Sequence, residues 1–339
     1  MAASVFAAVA SSVATAQEPQ TSAPTIVAVG GGGAPPAFAD GRLDVYYVGH
    51  SLISDVPDMV AAFAAARAVV DGQPAFRFVE QFRLGASLLM QWEEMLAEPG
   101  KRLPQPPPFR AHWFDALPQG GWDALVLVDS VPRGGDKLMR STLQYADNFV
   151  GAARTGSPSV RVFVYEPWHC VHSGTPKGCD YDDYPHSGMR WRQRIDADAP
   201  AWDAVVAGLR KAYPKTPVGL IPGARGLGAL HDAIAQGTVP GWTAIERDAF
   251  DDDIHLNPYG KYFVACLHHA ALTGRSPVGL PAAVADRAGT SYWGVPNWQK
   301  KTFAPPSEAL TRRLQEVAWD VAQRHMVAPP ADVALPQAK

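Results

Sequence analysis

Five short apolar runs constrain the fold of this chain more than any other feature. They are Leu43–Val48 (LDVYYV), Ala75–Val79 (AFRFV), Ala124–Val128 (ALVLV), Val160–Tyr165 (VRVFVY) and Val218–Ile221 (VGLI). They read as continuous rather than alternating runs, which marks strands covered on both faces and hence a parallel sheet. Helical patterns lie between them at Val56–Val70, Ala86–Leu96, Met139–Ala153, Ala201–Tyr213 and Leu227–Ala235. Strand–helix alternation with right-handed crossovers predicts a doubly wound, flavodoxin-like α/β/α sandwich: a five-stranded parallel sheet with helices on both faces. No internal repeat is visible.

Two insertions break the alternation. Pro99–Trp122 contains Pro104, Pro106, Pro107 and Pro108 and cannot be helix or central strand throughout. Glu166–Pro200 is rich in His, Asp and Tyr and leaves directly from a strand's carboxyl end, where ligand sites of such sheets lie. A last helix is expected from Pro306 to about His325. One domain over 41–277 with a C-terminal extension over 278–339, its helix packing on the domain, accounts for the 339 residues. The net charge of −3 argues against a nucleic-acid partner, which needs a basic stripe to neutralise phosphates.

Residues 1–16 are small and apolar and end Ala14-Thr15-Ala16 before Gln17, the small-x-small pattern of a signal-peptidase site. Export to the periplasm or medium is therefore expected, although no Lys or Arg precedes Arg42. The Gly- and Pro-containing stretch 17–40 reads as a flexible linker. No later run approaches the ~18 apolar residues of a membrane span. Of three cysteines, Cys266 lies in a helical pattern and reads as a core thiol, while Cys170 and Cys179 share one loop. In an exported protein a Cys170–Cys179 disulfide is the leading reading. The alternatives are free thiols, or a metal site using the flanking His169 and His172, whose spacing matches no standard zinc pattern.

Two short segments carry chemistry. Gly49-His50-Ser51-Leu52 follows the first strand, which places a serine at the sheet's carboxyl end. Backbone N–H groups behind it could stabilise an oxyanion. Asp252-Asp253-Ile254-His255-Leu256-Asn257-Pro258 ends in a good N-cap and a good first helical residue, so His255 lies just before a helix of about Tyr259–Thr273. Asp252, three residues upstream, can reach the imidazole Nδ1 across one tight turn and leave Nε2 for a serine.

Together these pieces resemble the SGNH (GDSL-like) serine hydrolase superfamily over roughly Leu43 to Pro277. That family's nucleophile block matches Gly49-His50-Ser51-Leu52 and its last block matches Asp252-x-x-His255. Its second block, a Gly after the second strand that donates a backbone N–H to the oxyanion, matches Gly85 in RLGASL. The resemblance implies a Ser-His-Asp esterase, with no metal or other cofactor, acting on acyl esters often carried by carbohydrates or lipids. The departure is in the third block, Gly-x-Asn after the third strand, whose Asn side chain is a further oxyanion donor. Here that strand ends Val128-Asp129-Ser130, and the chain's three Asn stand elsewhere, at 148, 257 and 297. The oxyanion donors are then the N–H groups of Ser51 and Gly85, with Ser130 as a candidate substitute.

His50, Glu166 and Trp168 lie close enough to the strand ends to be candidates for substrate contact. Several Trp fall in loops, at 113, 122, 168, 293 and 298, and flat aromatics suit sugar rings. The leading expectation is an exported serine esterase acting on a small-molecule or glycan ester. A lipase, thioesterase or acyltransferase would use the same triad. A binding protein on a decayed fold is the reading of another class, and the missing Asn is its motive.

Overall fold

The computed structural model describes residues 41–71, 75–97, 111–131, 136–179 and 188–326. The leader and linker expected over 1–40, and Pro104 and Pro106–Pro108 of the first insertion, lie outside these. In chain order the described elements are β1 (Arg42–Gly49), α1 (Val56–Asp71), β2 (Ala75–Phe82), α2 (Leu88–Ala97), α3 (Trp113–Ala116), β3 (Ala124–Val128), α4 (Asp136–Gly156), β4 (Arg161–Tyr165), α5 (Trp191–Ala212), β5 (Val218–Ile221), α6 (Gly223–Ala235), α7 (Ile245–Asp248), α8 (Pro258–Thr273) and α9 (Glu308–Ala322).

The five strands form one parallel sheet in the order β2-β1-β3-β4-β5. Period-two alternation divides each buried strand between two cores. Val45, Tyr47, Val126, Phe163, Tyr165 and Ile221 face one side, where α1, α6, α8 and α9 pack. Tyr46, Val48, Leu125, Leu127, Val162 and Val164 face the other, where α2, α4 and α5 close the layer. Burial on both faces is why these strands read as continuous apolar runs. No helix among the described residues is long and apolar enough to cross a membrane.

The helix α5 begins ten residues before the expected start at Ala201 and runs through Pro200. A proline there removes one backbone bond, but Trp191, Ile195, Trp202, Val205 and Leu209 are all buried along the helix and outweigh it. The second insertion is correspondingly shorter. The extension after α8 packs back onto the domain, α9 lying against α8 and α6.

On α8, His268 and His269 are wholly buried. The His268 ring packs against Tyr47 and Tyr165 at 6.0 and 4.9 Å. Burial holds both imidazoles far below their ordinary value, at about 3, so they are neutral in the fold. The unfolded chain takes up these protons below its own value near 6.5, so stability falls as pH drops from there toward 3, by about 1.4 kcal/mol per pH unit for each histidine. Urea unfolding at pH 7, 5.5 and 4.5 should show this slope. His268→Phe should flatten it by about one proton, and an unchanged slope in that variant would refute the assignment.

Candidate active site

The register sets the site before any side chain is considered. Gly49 pairs with Phe82, and Val48 pairs with Leu127, so the carboxyl ends of β1, β2 and β3 finish side by side. In this strand order the chain reverses direction between β1 and β3, the switch point where such folds hold ligands. A Cβ on Gly49 would lie 2.3 Å from the buried Ile53 side chain, so glycine leaves the room that Ile53 fills beneath the turn. Ser51 then opens a short 3-10 turn, Ser51–Ile53. As the first residue of that turn, its N–H has no intrahelical acceptor. Asp55 follows at φ 68° and pairs through Oδ2 with Lys261 Nζ of α8 at 2.7 Å. The Ser51 turn is thus tied to the helix that follows His255.

Asp252 organises the opposite side. Its Oδ1 accepts from the N–H groups of Ile254 (2.8 Å) and His255 (2.7 Å), which closes the turn. Its Oδ2 lies 2.8 Å from His255 Nδ1. The other ring nitrogen, Nε2, is 2.9 Å from Ser51 Oγ. Burial pushes the Asp252 carboxyl up, but the His255 and Ile254 N–H groups and the His255 ring more than offset this and hold it below the usual carboxylate range. An anion therefore faces Nδ1 and fixes the tautomer, leaving Nε2 to accept a proton from the serine. Asn257 caps α8 by accepting from Tyr259 and Gly260 N–H, so the end of this turn is fixed too.

The second insertion braces the same turn. Cys170 and Cys179 are joined in a disulfide with their Cα atoms 6.1 Å apart, closing a short loop that contributes about 2–3 kcal/mol. From this segment Trp168 Nε1 donates to Ile254 O at 2.8 Å, and Val171 N–H donates to Asp253 O at 2.7 Å. Lys177 Nζ reaches Asp253 Oδ1 at 2.5 Å, an exposed pair.

Three candidates for substrate contact are buried in the fold. The His50 ring is buried and committed to backbone, with Nε2 3.0 Å from Asp129 O and Nδ1 accepting from Leu52 N–H at 3.4 Å. Glu166 is fully buried, accepts from Arg225 N–H at 3.1 Å and pairs with its guanidinium. Burial raises its carboxyl to about 7 against the pull of Arg225. Trp168 is wholly buried, and its indole N–H is spent on Ile254. All three thus brace the fold, each with a polar atom spent on a partner inside the protein.

Gly85 stands beyond β2 in the left-handed region, at φ 63°, and is exposed. Ser130 stands beyond β3, half-buried, its N–H donating to Asp129 Oδ1 at 2.8 Å. Asp129 itself is the organiser of this side that residue patterns did not reveal. Its Oδ1 also accepts from Leu88 N–H, the first residue of α2, at 3.0 Å, and its Oδ2 accepts from Thr142 Oγ at 2.5 Å. One buried carboxylate thus sets the loop carrying Gly85 and the end of β3, while the backbone carbonyl of the same residue meets the His50 ring. The only sequence signal was a charge closing an otherwise apolar strand. Among the described residues no group of three or more His, Cys, Asp or Glu is arranged to hold a metal ion. A 360 Å³ cavity lined by Gly279, Leu280, Pro306, Thr311 and Gln315 includes none of Ser51, Asp252 and His255.

With its sheet order, its serine after the first strand and its Asp-x-x-His turn before α8, the fold is SGNH-like. No family model matches the chain. No curated protein matches it. Solved structures similar to it include an acetyl xylan esterase, 11% identical, covering 68% of this chain and 99% of that one, with a TM-score of 0.42. A GDSL-like lipase candidate from Parabacteroides merdae is 12% identical over 69% of this chain and 96% of that one, TM-score 0.40. A carbohydrate esterase family 3 structure from Talaromyces cellulolyticus is 14% identical over 68% and 96%, TM-score 0.40. These likenesses are remote, and the reading of the site rests on the chain's own geometry.

Removing the Asp129 carboxylate leaves the Leu88 N–H and the Thr142 hydroxyl without that acceptor in a buried place. Asp129→Ala should therefore cost at least about 2 kcal/mol, measured by urea unfolding. A cost below about 0.5 kcal/mol would show that the carboxylate does not organise this side.

Proposed function

We propose that this protein is a serine esterase in which Ser51, His255 and Asp252 act as a catalytic triad. The observation that carries the reading is the unbroken chain from the Ser51 hydroxyl through both His255 nitrogens to the Asp252 carboxylate, at 2.9 and 2.8 Å. Ser51 Oγ attacks the ester carbonyl while His255 Nε2 takes its proton. Asp252 stabilises the imidazolium through Nδ1. The negative oxygen of the tetrahedral intermediate is held by the N–H groups of Ser51 and Gly85, with Ser130 as the substitute for the usual Asn. The intermediate collapses as Nε2 passes the proton to the leaving alcohol. Water, deprotonated by His255, then attacks the acyl-serine; collapse returns the proton to Ser51 and frees the acid.

The substrate class we infer is a short acyl ester, acetyl in the first instance, on a carbohydrate or another small alcohol. The reading includes export, because the leader pattern and a disulfide both suit an oxidising compartment. The hydrolase body spans 41–277, and the remainder is an extension that packs on it.

Ser51→Ala should lower hydrolysis of p-nitrophenyl acetate by at least about 10³-fold and Asp252→Asn by a similar factor. A fluorophosphonate probe should label the wild type and not Ser51→Ala. Near wild-type turnover by Ser51→Ala would overturn the triad. Active-site labelling also separates an esterase from a binding protein on the same fold.

A further inference from the structure

Resting on the serine-esterase reading, we propose that the hairpin tip carrying Trp298 is the subsite for the leaving alcohol, and that this alcohol is a pyranose. Of the five tryptophans that the sequence places in loops, 113, 122, 168 and 293 are buried in the cores. Trp298 alone is exposed, at 58%, and its ring lies edge-on to His255 with centroids 5.7 Å apart and planes at 82°. Among the described residues only two other large apolar side chains are exposed: Leu84 beside Gly85, and Val295 on the same hairpin. All three therefore come from segments that border the proposed triad or its oxyanion donors. Single exposed apolar residues are ordinary, but their confinement to one rim marks a contact surface.

The tip is built to hold its backbone still. Pro296 and Thr302 form an antiparallel bridge, and Gly294 N–H donates to Phe303 O at 2.8 Å. Asn297 Oδ1 accepts from the N–H groups of Gln299 and Lys301, both at 3.0 Å, which closes the turn around Trp298. Asn297 Nδ2 then donates to Asp251 Oδ2 at 2.6 Å, and Lys301 Nζ donates to Asp251 O at 2.7 Å. Asp251 is the residue before Asp252, so the platform is fastened to the catalytic turn itself. At the stem, Trp293 stacks on Tyr259 at 5.3 Å and donates its indole N–H to Ala282 O at 2.8 Å. A turn ordered in advance has less freedom to lose when a ligand lands on it.

The position selects the part of the substrate. His255 delivers its proton to the departing oxygen, so a ring in contact with the imidazole lies on the alcohol side of the ester and not on the acyl side. The exposure selects its chemistry. An indole open to water offers one flat apolar face and no enclosing wall. A pyranose meets this with its C–H face while its hydroxyls stay hydrated. An aliphatic alcohol would leave most of its surface wet.

The test compares esters with one acetyl group and different alcohols: methyl mono-O-acetyl-glucopyranosides, ethyl acetate and hexyl acetate. Trp298→Ala should raise KM for the sugar esters about tenfold, with kcat within about threefold, and Trp298→Phe should recover part of the loss. Ethyl acetate, with no ring to stack, should lose several-fold less. Equal losses on sugar esters and ethyl acetate would mean that the indole only props His255, and would overturn the proposal. So would a loss on hexyl acetate as large as on the sugars, or no loss on any ester. A wild type that turns over none of these esters refutes the serine-esterase reading itself, an outcome distinct from the others.

Discussion

The Asp252 carboxylate is the interaction on which the rest of this site depends. It does two jobs with two oxygens. One closes the turn by accepting the Ile254 and His255 N–H groups, and the other receives the His255 ring. Position and charge are therefore coupled, since the bonds that shape the backbone also keep the carboxyl ionised. A carboxylate held this way cannot swing off the imidazole without unmaking the turn. The orienting group of a triad needs that rigidity, because a displacement of about 1 Å is costly in rate.

Around this turn the chain has gathered two supports that are distant in sequence, and a third contact ties it to the Ser51 turn. Trp168 and Val171 hold the carbonyls of Ile254 and Asp253 from the disulfide-closed loop. Asn297 and Lys301 hold Asp251 from the extension. Lys261, on the helix that the turn introduces, holds Asp55 behind the serine. The second insertion and the extension thus both end on backbone or carboxylate atoms of 251–254. This gives a physical reason for the long Gly- and Pro-containing connections, whose irregular paths reach a place that regular helices and strands do not.

The sheet, its helices and the two segments that carry Ser51 and the Asp252–His255 pair were legible in the sequence because each is a short-range pattern. Strands buried on both faces leave apolar runs, and the Asp-x-x-His turn and the Asn257 cap each span a few residues. Longer-range features were not legible. Asp129 looked like the end of a strand, yet its partners Leu88 and His50 lie 41 and 79 residues away. His50, Glu166 and Trp168 have side chains equally suited to a pocket or to a buried brace, and only burial separates the two. The beginning of α5 was hidden by Pro200 and by charged residues such as Arg192, whose partner Asp232 is on another helix.

Ser51 and His255, the proposed nucleophile and base, are separated by 204 residues, one after the first strand of the sheet and the other just before α8. A growing chain therefore completes Ser51 long before His255 exists to activate it. Throughout synthesis the serine is an ordinary alcohol with little reactivity. On the proposed chemistry the order of elements thus works as a timer, with reactivity arriving only when the sheet is complete and α8 has followed His255.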